Sequence, residues 1–178
     1  MGAVIFHKML HAYQCPPFIM LAMGVIAALA LSIALISQYF FGLYPCNLCV
    51  IQRYPYGVII LLSMIGFLFL RKNYWGRITV LAGMALTFIV NSLIAFYHSG
   101  VERLWWESFL KGCSIPPLKG DMAQILAQIE QRAHAARCDE IPWADPFIGL
   151  SMANYNVILC FALAMTAVAA IIHQSKQA

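Results

Sequence analysis

The chain has 178 residues, 62% of them hydrophobic and only 10% charged, with a mean hydropathy of +0.78 and a formal net charge of +4. Soluble domains carry about 25% charged residues, so the composition excludes a water-covered globule, and one compact bundle uses up the length. The small positive balance is spread out, with no basic tract of interleaved aromatics, which argues against nucleic acid as a partner.

Four apolar runs, roughly 18–38, 50–70, 78–97 and 147–172, are long and uncharged enough to cross a bilayer. Backbone groups in lipid must bond internally, and the runs are too continuous for the alternation of a membrane barrel, so a helix is expected in each. The predicted fold class is therefore an all-α membrane protein: a four-transmembrane-helix bundle forming a single domain over 1–178, with a long loop at 99–146. In the first run Ala28-Leu29-Ala30 resembles a signal cleavage site, yet apolar sequence continues through Ile36, and an uncleaved anchor is expected. A short aromatic turn, Phe40-Phe41-Gly42-Leu43-Tyr44-Pro45, leads to Cys46-Asn47-Leu48-Cys49 at the opening of the second run. Pro55 then either lies in the first turn of the second helix or kinks it.

The segment Arg71–Arg77 is only long enough for a turn. His98 ends the third run, and Gly100 reads as a helix stop. The long loop that follows holds all seven acids together with Cys113 and Cys138. Within it Met122, Ile125, Leu126 and Ile129 keep helical spacing behind a capping Asp121, which predicts a short amphipathic helix on the bilayer surface or on the bundle top. Trp105, Trp106 and Trp143 read as interfacial anchors.

Lys8, Arg71, Lys72, Arg77 and Lys176 collect on one side, which the positive-inside rule makes cytoplasmic, with both termini. Between Cys49 and Cys113 the chain crosses twice, so both cysteine pairs must face one compartment whatever the absolute orientation. If that compartment is the bacterial periplasm, disulfides persist there.

A C-x-x-C pair is a signature of thiol–disulfide exchange. A helix N-terminus at Cys49, with Arg53 one turn on, would lower the pKa of that thiol. A zinc site built from all four cysteines is the rival, but structural zinc sites show paired short spacings, whereas 25 residues separate Cys113 from Cys138. Arg53, at the membrane edge, is a functional candidate for stabilising a thiolate or a reduced acceptor, or else an arginine snorkelling to headgroups. His98 is placed to pass protons or hydrogen-bond a carbonyl ligand, or merely to sit at a helix C-terminus. Asn91 and Gln38 read as interhelical hydrogen bonders. Four cysteines split between a membrane edge and a water-exposed loop suggest electrons relayed from one pair to the other, and Cys15 and Cys160 fall outside that relay, Cys160 as a small hydrophobe.

Pro45-Cys46-Asn47-Leu48-Cys49, Gln52-Arg53-Tyr54-Pro55-Tyr56, Tyr97-His98-Ser99-Gly100-Val101-Glu102, the Cys113/Cys138 pair and Gly149-Leu150-Ser151-Met152-Ala153-Asn154-Tyr155-Asn156 run in order over most of the chain. Together they resemble the disulfide bond formation protein B (DsbB) family of bacterial inner-membrane thiol oxidases. The resemblance implies an enzyme that oxidises a periplasmic thioredoxin-like (DsbA-like) dithiol protein and passes two electrons to membrane quinone, ubiquinone or menaquinone. It further implies that the partner attacks Cys113, that Cys138 then attacks Cys46 and frees Cys49, and that Arg53, with His98, holds the quinone head. No resident metal is expected. Gln52 stands where some members carry an acid. A vitamin K epoxide reductase-like reading is disfavoured because its loop cysteines precede the C-x-x-C, whereas here they follow. The non-enzymatic reading is a membrane protein using the cysteines as staples or metal ligands.

Overall fold

The computed structural model describes residues 16–70, 72–110, 113, 121–126 and 137–176. Its helices are α1 (Pro16–Phe41), α2 (Asn47–Ile51), α3 (Arg53–Ile65), α4 (Tyr74–Glu102) and α5 (Met152–Ser175), with a π-helical segment, Gly66–Leu70, continuing α3. Four crossings long and apolar enough for a bilayer result, since α2, α3 and the π segment join into one. An isolated bridge between Ala144 and Ser151 is the extended pairing among the described residues. The protein is an all-α, multi-pass membrane protein, as its composition predicts.

The second crossing breaks where its proline dictates. Proline lacks the N–H that would bond the carbonyl four residues back, and its ring collides with it. For Pro55 that carbonyl belongs to Ile51, the last residue of α2, and the chain turns at Gln52 before α3 starts.

Small residues let α1 and α3 approach closely. Ser63 donates its hydroxyl to the Met20 carbonyl at 2.8 Å. A Cβ built on Gly24 would fall 2.2 Å from the Ser63 oxygen. Along α4 and α5 the bonds run antiparallel: Arg77 to Gln174 at 3.3 Å, Ser92 to the Val157 carbonyl at 3.2 Å and Asn154 to Ser99 at 2.8 Å. Met20, Met23, Ile59, Leu81, Met84 and Phe88 fill the interior. Leu29, Ile33, Leu61, Leu86 and Phe161 stand on the outer faces, exposed apolar surface that suits lipid rather than water.

Helices α1 and α4 overrun their apolar runs: α1 takes in Phe40 and Phe41 of the expected aromatic turn, and α4 starts at Tyr74, within the segment expected to be a turn, capped by Asn73. α4 passes through Gly100 to Glu102, and the left-handed residue beyond it is Leu104, with φ 58°. Gly100 is not a stop but a seat for Trp106, because a Cβ there would lie 2.0 Å from the indole ring. Gly100→Ala should therefore displace that ring and destabilise the protein by about 1–3 kcal/mol, the usual cost of overpacking. A lowered unfolding midpoint in detergent would show it; an unchanged midpoint would mean the ring yields freely. α5 starts at Met152, capped by Ser151, whose hydroxyl accepts the Asn154 N–H at 3.3 Å. Residues 147–151 turn instead, with Gly149 at φ 68° and the Asp145 carboxylate accepting the Phe147 N–H at 3.3 Å. The loop helix is present over 122–126, its Asp121 cap accepting the Gln124 N–H at 2.9 Å, while Ile129 lies outside the described residues.

Candidate functional site

Pro45 holds an extended approach to α2, and Cys46 becomes its N-cap at φ −74°, ψ 171°. The Cys49 backbone N–H donates to the Cys46 sulfur at 3.3 Å. The helix N-terminus therefore serves Cys46, correcting the expectation that it would serve Cys49. Both residues are free thiols, with sulfurs 3.0 Å apart. Cys46 is buried, at 4% exposure, whereas Cys49 is half-buried and nearer the outside. The thiol of Cys49, bonded to Cys46, holds the Cys46 thiol below its ordinary range; burial opposes this, and the His98 ring and the Cys49 N–H reinforce it.

His98, from α4, is buried and fully engaged. Its Nε2 lies 3.4 Å from the Cys46 sulfur and 3.7 Å from a Glu102 oxygen, and its Nδ1 lies 2.9 Å from the Gln52 amide nitrogen. Arg53 is half-buried and points the other way, donating Nη1 to the Gln38 side-chain oxygen on α1 at 2.7 Å. Gln38 and Asn91 both make the interhelical bonds expected of them, Asn91 to the Cys160 sulfur at 3.4 Å. Cys160 is more than a small hydrophobe, since it also donates to Asn156 at 3.2 Å. Cys15 lies outside the described residues.

The loop brings its own pair to the same place. Cys113 and Cys138 form a disulfide with Cα atoms 4.7 Å apart. Both are fully buried, and they share one apolar cluster with Cys46, Leu48 and Val101, with Cys49, Tyr97 and Leu110 packed against it. Aromatic packing leads the chain there. Trp106 stacks on Tyr97 at 6.0 Å and donates its indole N–H to the Tyr97 carbonyl at 3.0 Å, and Phe109 donates its N–H to the Tyr97 hydroxyl at 3.1 Å. Beside Cys138, Arg137 grips Asp139 at 2.8 Å and Glu140 at 2.7 Å, and its guanidinium holds the Asp139 carboxyl below the usual range.

A four-cysteine zinc site is incompatible with that disulfide. The closest set with metal-ligand chemistry among the described residues is instead Cys46, Cys49 and His98, whose ligand atoms lie within 4.8 Å of one another. Next to α2 opens an apolar cleft of about 320 Å³, lined by Leu48, Ile51, Leu93, Ile94, Tyr97 and Phe109 among others.

Sequence reasoning placed Glu102, Ser151, Gln52 and Asn156 within the family-like motifs but assigned them no contacts. Glu102 belongs to α4, is buried beneath the loop, and accepts the Ser151 hydroxyl. The i, i+4 spacing of His98 and Glu102 was the available signal. Nothing local announced Gln52 and Asn156, which meet across 104 residues of chain at 2.6 Å.

A bundle that seats a loop disulfide against a C-x-x-C turn at one membrane edge defines a membrane-embedded disulfide-forming protein. The family model described as Disulfide bond formation protein DsbB matches residues 16–170, and the chain belongs to that family. Similar proteins include Disulfide bond formation protein B of Xylella fastidiosa, 29% identical over 76% of this chain and 78% of its own length. Disulfide bond formation protein B of a Polaromonas species is 25% identical over 93% of this chain and 96% of its own. An uncharacterized protein of Rickettsia prowazekii is 30% identical over 80% of each chain.

Proposed function

We propose that the protein is a protein-dithiol:quinone oxidoreductase of the bacterial inner membrane, with both termini cytoplasmic and the cysteines periplasmic. It oxidises a thioredoxin-like, DsbA-like partner and hands the electrons to ubiquinone or menaquinone. The burial of the Cys113–Cys138 disulfide in one cluster with Cys46 carries this reading, because exchange needs an attacking sulfur beside its target.

The electrons balance as follows. The partner's thiolate attacks Cys113, its second cysteine releases it oxidised, and Cys113 and Cys138 are left as a dithiol. Cys138 attacks Cys46 of a Cys46–Cys49 disulfide, forming a new bond and freeing Cys49 as a thiolate. Cys113 then attacks Cys138, restores the loop disulfide and releases Cys46. A loop disulfide with free Cys46 and Cys49, the pairing found here, is the product of that step. The inner pair re-forms its disulfide as two electrons and two protons pass to quinone.

The residues fit such an acceptor. Cys49 is the half-buried member of the inner pair, and Arg53, one turn later and bonded to Gln38 on α1, is the nearest cation in sequence that could serve a ring carbonyl; the apolar cleft on the α4 side of α2 does not include either residue. His98, engaged with Cys46, serves the sulfur side of the reaction.

In liposomes containing quinone and a reduced thioredoxin-like protein, one quinone should be consumed for each partner disulfide formed. Partner oxidation without quinone loss would refute the reading. Arg53→Ala should raise the apparent KM for quinone about tenfold or more, as loss of a charged hydrogen bond to the bound ring carbonyl implies. The KM for the partner should stay near that of the parent; the reverse pattern would remove Arg53 from the quinone site.

A further inference from the structure

Polar side chains buried between α3, α4 and α5 form a continuous hydrogen-bonded line that ends at Cys46. At its far end Asn156 accepts twice through Oδ1, from the Tyr56 hydroxyl and from the Cys160 thiol at 3.2 Å. Asn91 donates to the Cys160 sulfur at 3.4 Å, and the Tyr56 hydroxyl lies 3.4 Å from the same sulfur. The amide nitrogen of Asn156 therefore points onward and donates to Gln52 Oε1 at 2.6 Å. That turns the Gln52 amide nitrogen toward His98 Nδ1 at 2.9 Å.

The near end demands the same direction. His98 Nε2 faces two acceptors: the Cys46 sulfur at 3.4 Å and the Glu102 carboxylate at 3.7 Å. Glu102 already receives the Ser151 hydroxyl, and Cys46 already receives the Cys49 N–H at 3.3 Å. A proton on Nε2 serves both the Cys46 sulfur and an ionised Glu102, and an unprotonated Nδ1 accepts the Gln52 amide N–H. Donors at one end and acceptors at the other fix a single polarity for the line.

We propose that Gln52 and Asn156 are positioning residues that lock His98 as its neutral Nε2–H tautomer and so aim an N–H at the Cys46 sulfur. The functional consequence rests on the proposed relay, in which Cys46 leaves a disulfide with Cys138; a leaving sulfur whose thiolate is hydrogen-bonded departs faster. His98 then acts as a donor and not as a proton acceptor, because Nδ1 is covered by an amide N–H. Among the described residues, the titratable groups facing Cys46 are Cys49 from α2 and His98 and Glu102 from α4. The loop presents its disulfide, which does not titrate.

Two measurements on the full chain test the proposal without quinone or partner. In the ¹⁵N-histidine spectrum, the signal lost in His98→Asn should show a protonated Nε2 and a bare Nδ1. Gln52→Glu offers Nδ1 only acceptors, and should move the proton to Nδ1 or charge the ring. An Nδ1–H tautomer in the parent, or no change in Gln52→Glu, overturns the assignment. The second readout is the thiolate absorbance of Cys46 against pH in a Cys15→Ala, Cys49→Ala background with the loop disulfide intact. Gln52→Leu should raise the midpoint by about one unit, a tenfold loss of thiolate, and Asn156→Ser supplies a smaller lesion if Gln52→Leu fails to fold. An unmoved midpoint in a folded variant overturns the proposal. Because neither readout involves turnover, failure of the quinone reading and failure of the tautomer lock remain distinguishable.

Discussion

Replacing Cys49 by serine should end catalysis after a single event. The loop disulfide remains available and each molecule oxidises about one partner, but Cys46 has no sulfur with which to close, so quinone consumption stops. The expected result in the liposome assay is a stoichiometric burst of partner oxidation with no steady state after it. Cys49 is the half-buried member of the pair, its sulfur 3.0 Å from Cys46, and it packs at the edge of the apolar cluster, whereas Cys160 is fully buried in the bundle core. The lesion is therefore chemical, and the variant should melt near the parent. A Cys49→Ser protein that keeps full steady-state turnover would remove this residue as the electron exit and with it the order of the relay.

Ser151→Ala should produce the largest loss of stability among single-atom deletions near the site. Its hydroxyl has two tasks: it accepts the Asn154 N–H at the start of α5 and it donates to the buried Glu102 at the end of α4. Losing a serine N-cap costs about 0.5–2 kcal/mol. Leaving a buried acceptor without its donor costs about 1–3 kcal/mol more. A combined loss of about 2–4 kcal/mol should appear as a lower unfolding midpoint in detergent, and Ser151→Thr, which keeps the hydroxyl, should recover most of it. If Ser151→Ala melts with the parent, Glu102 does not tie α4 to α5. The Arg103–Asn154 bond at 2.9 Å and the Asn154–Ser99 bond would then hold that corner without help from the serine.

The four crossings were legible because the requirement that backbone be satisfied inside lipid leaves a strong, long signal. Their ends were less so. Apolarity reports where side chains prefer lipid, not where the backbone bonds, so Phe147 and Ile148 counted toward a helix although Asp145 and Gly149 bend them into a turn. Gly100 carried two meanings, and only the position of Trp106 decides between stop and seat. The C-x-x-C pair and its loop partners were visible as residue types. Which sulfur would cap α2 depended on the helix starting at Asn47, a shift of a few residues that moves the whole N-terminal field from Cys49 to Cys46. The ties of Gln52 to Asn156, of Ser151 to Glu102 and of Arg53 to Gln38 join different crossings, and spacing along the chain says nothing about them.

If the loop disulfide is the entry point of the proposed relay, the complete burial of Cys113 and Cys138 restricts which thiols can reach it. A small thiol such as glutathione meets no accessible sulfur at Cys113 or Cys138, both fully buried. A protein client that grips the loop can prise it open and reach Cys113. In the proposed relay, concealment would thus work as a filter that keeps free small thiols from draining the acceptor.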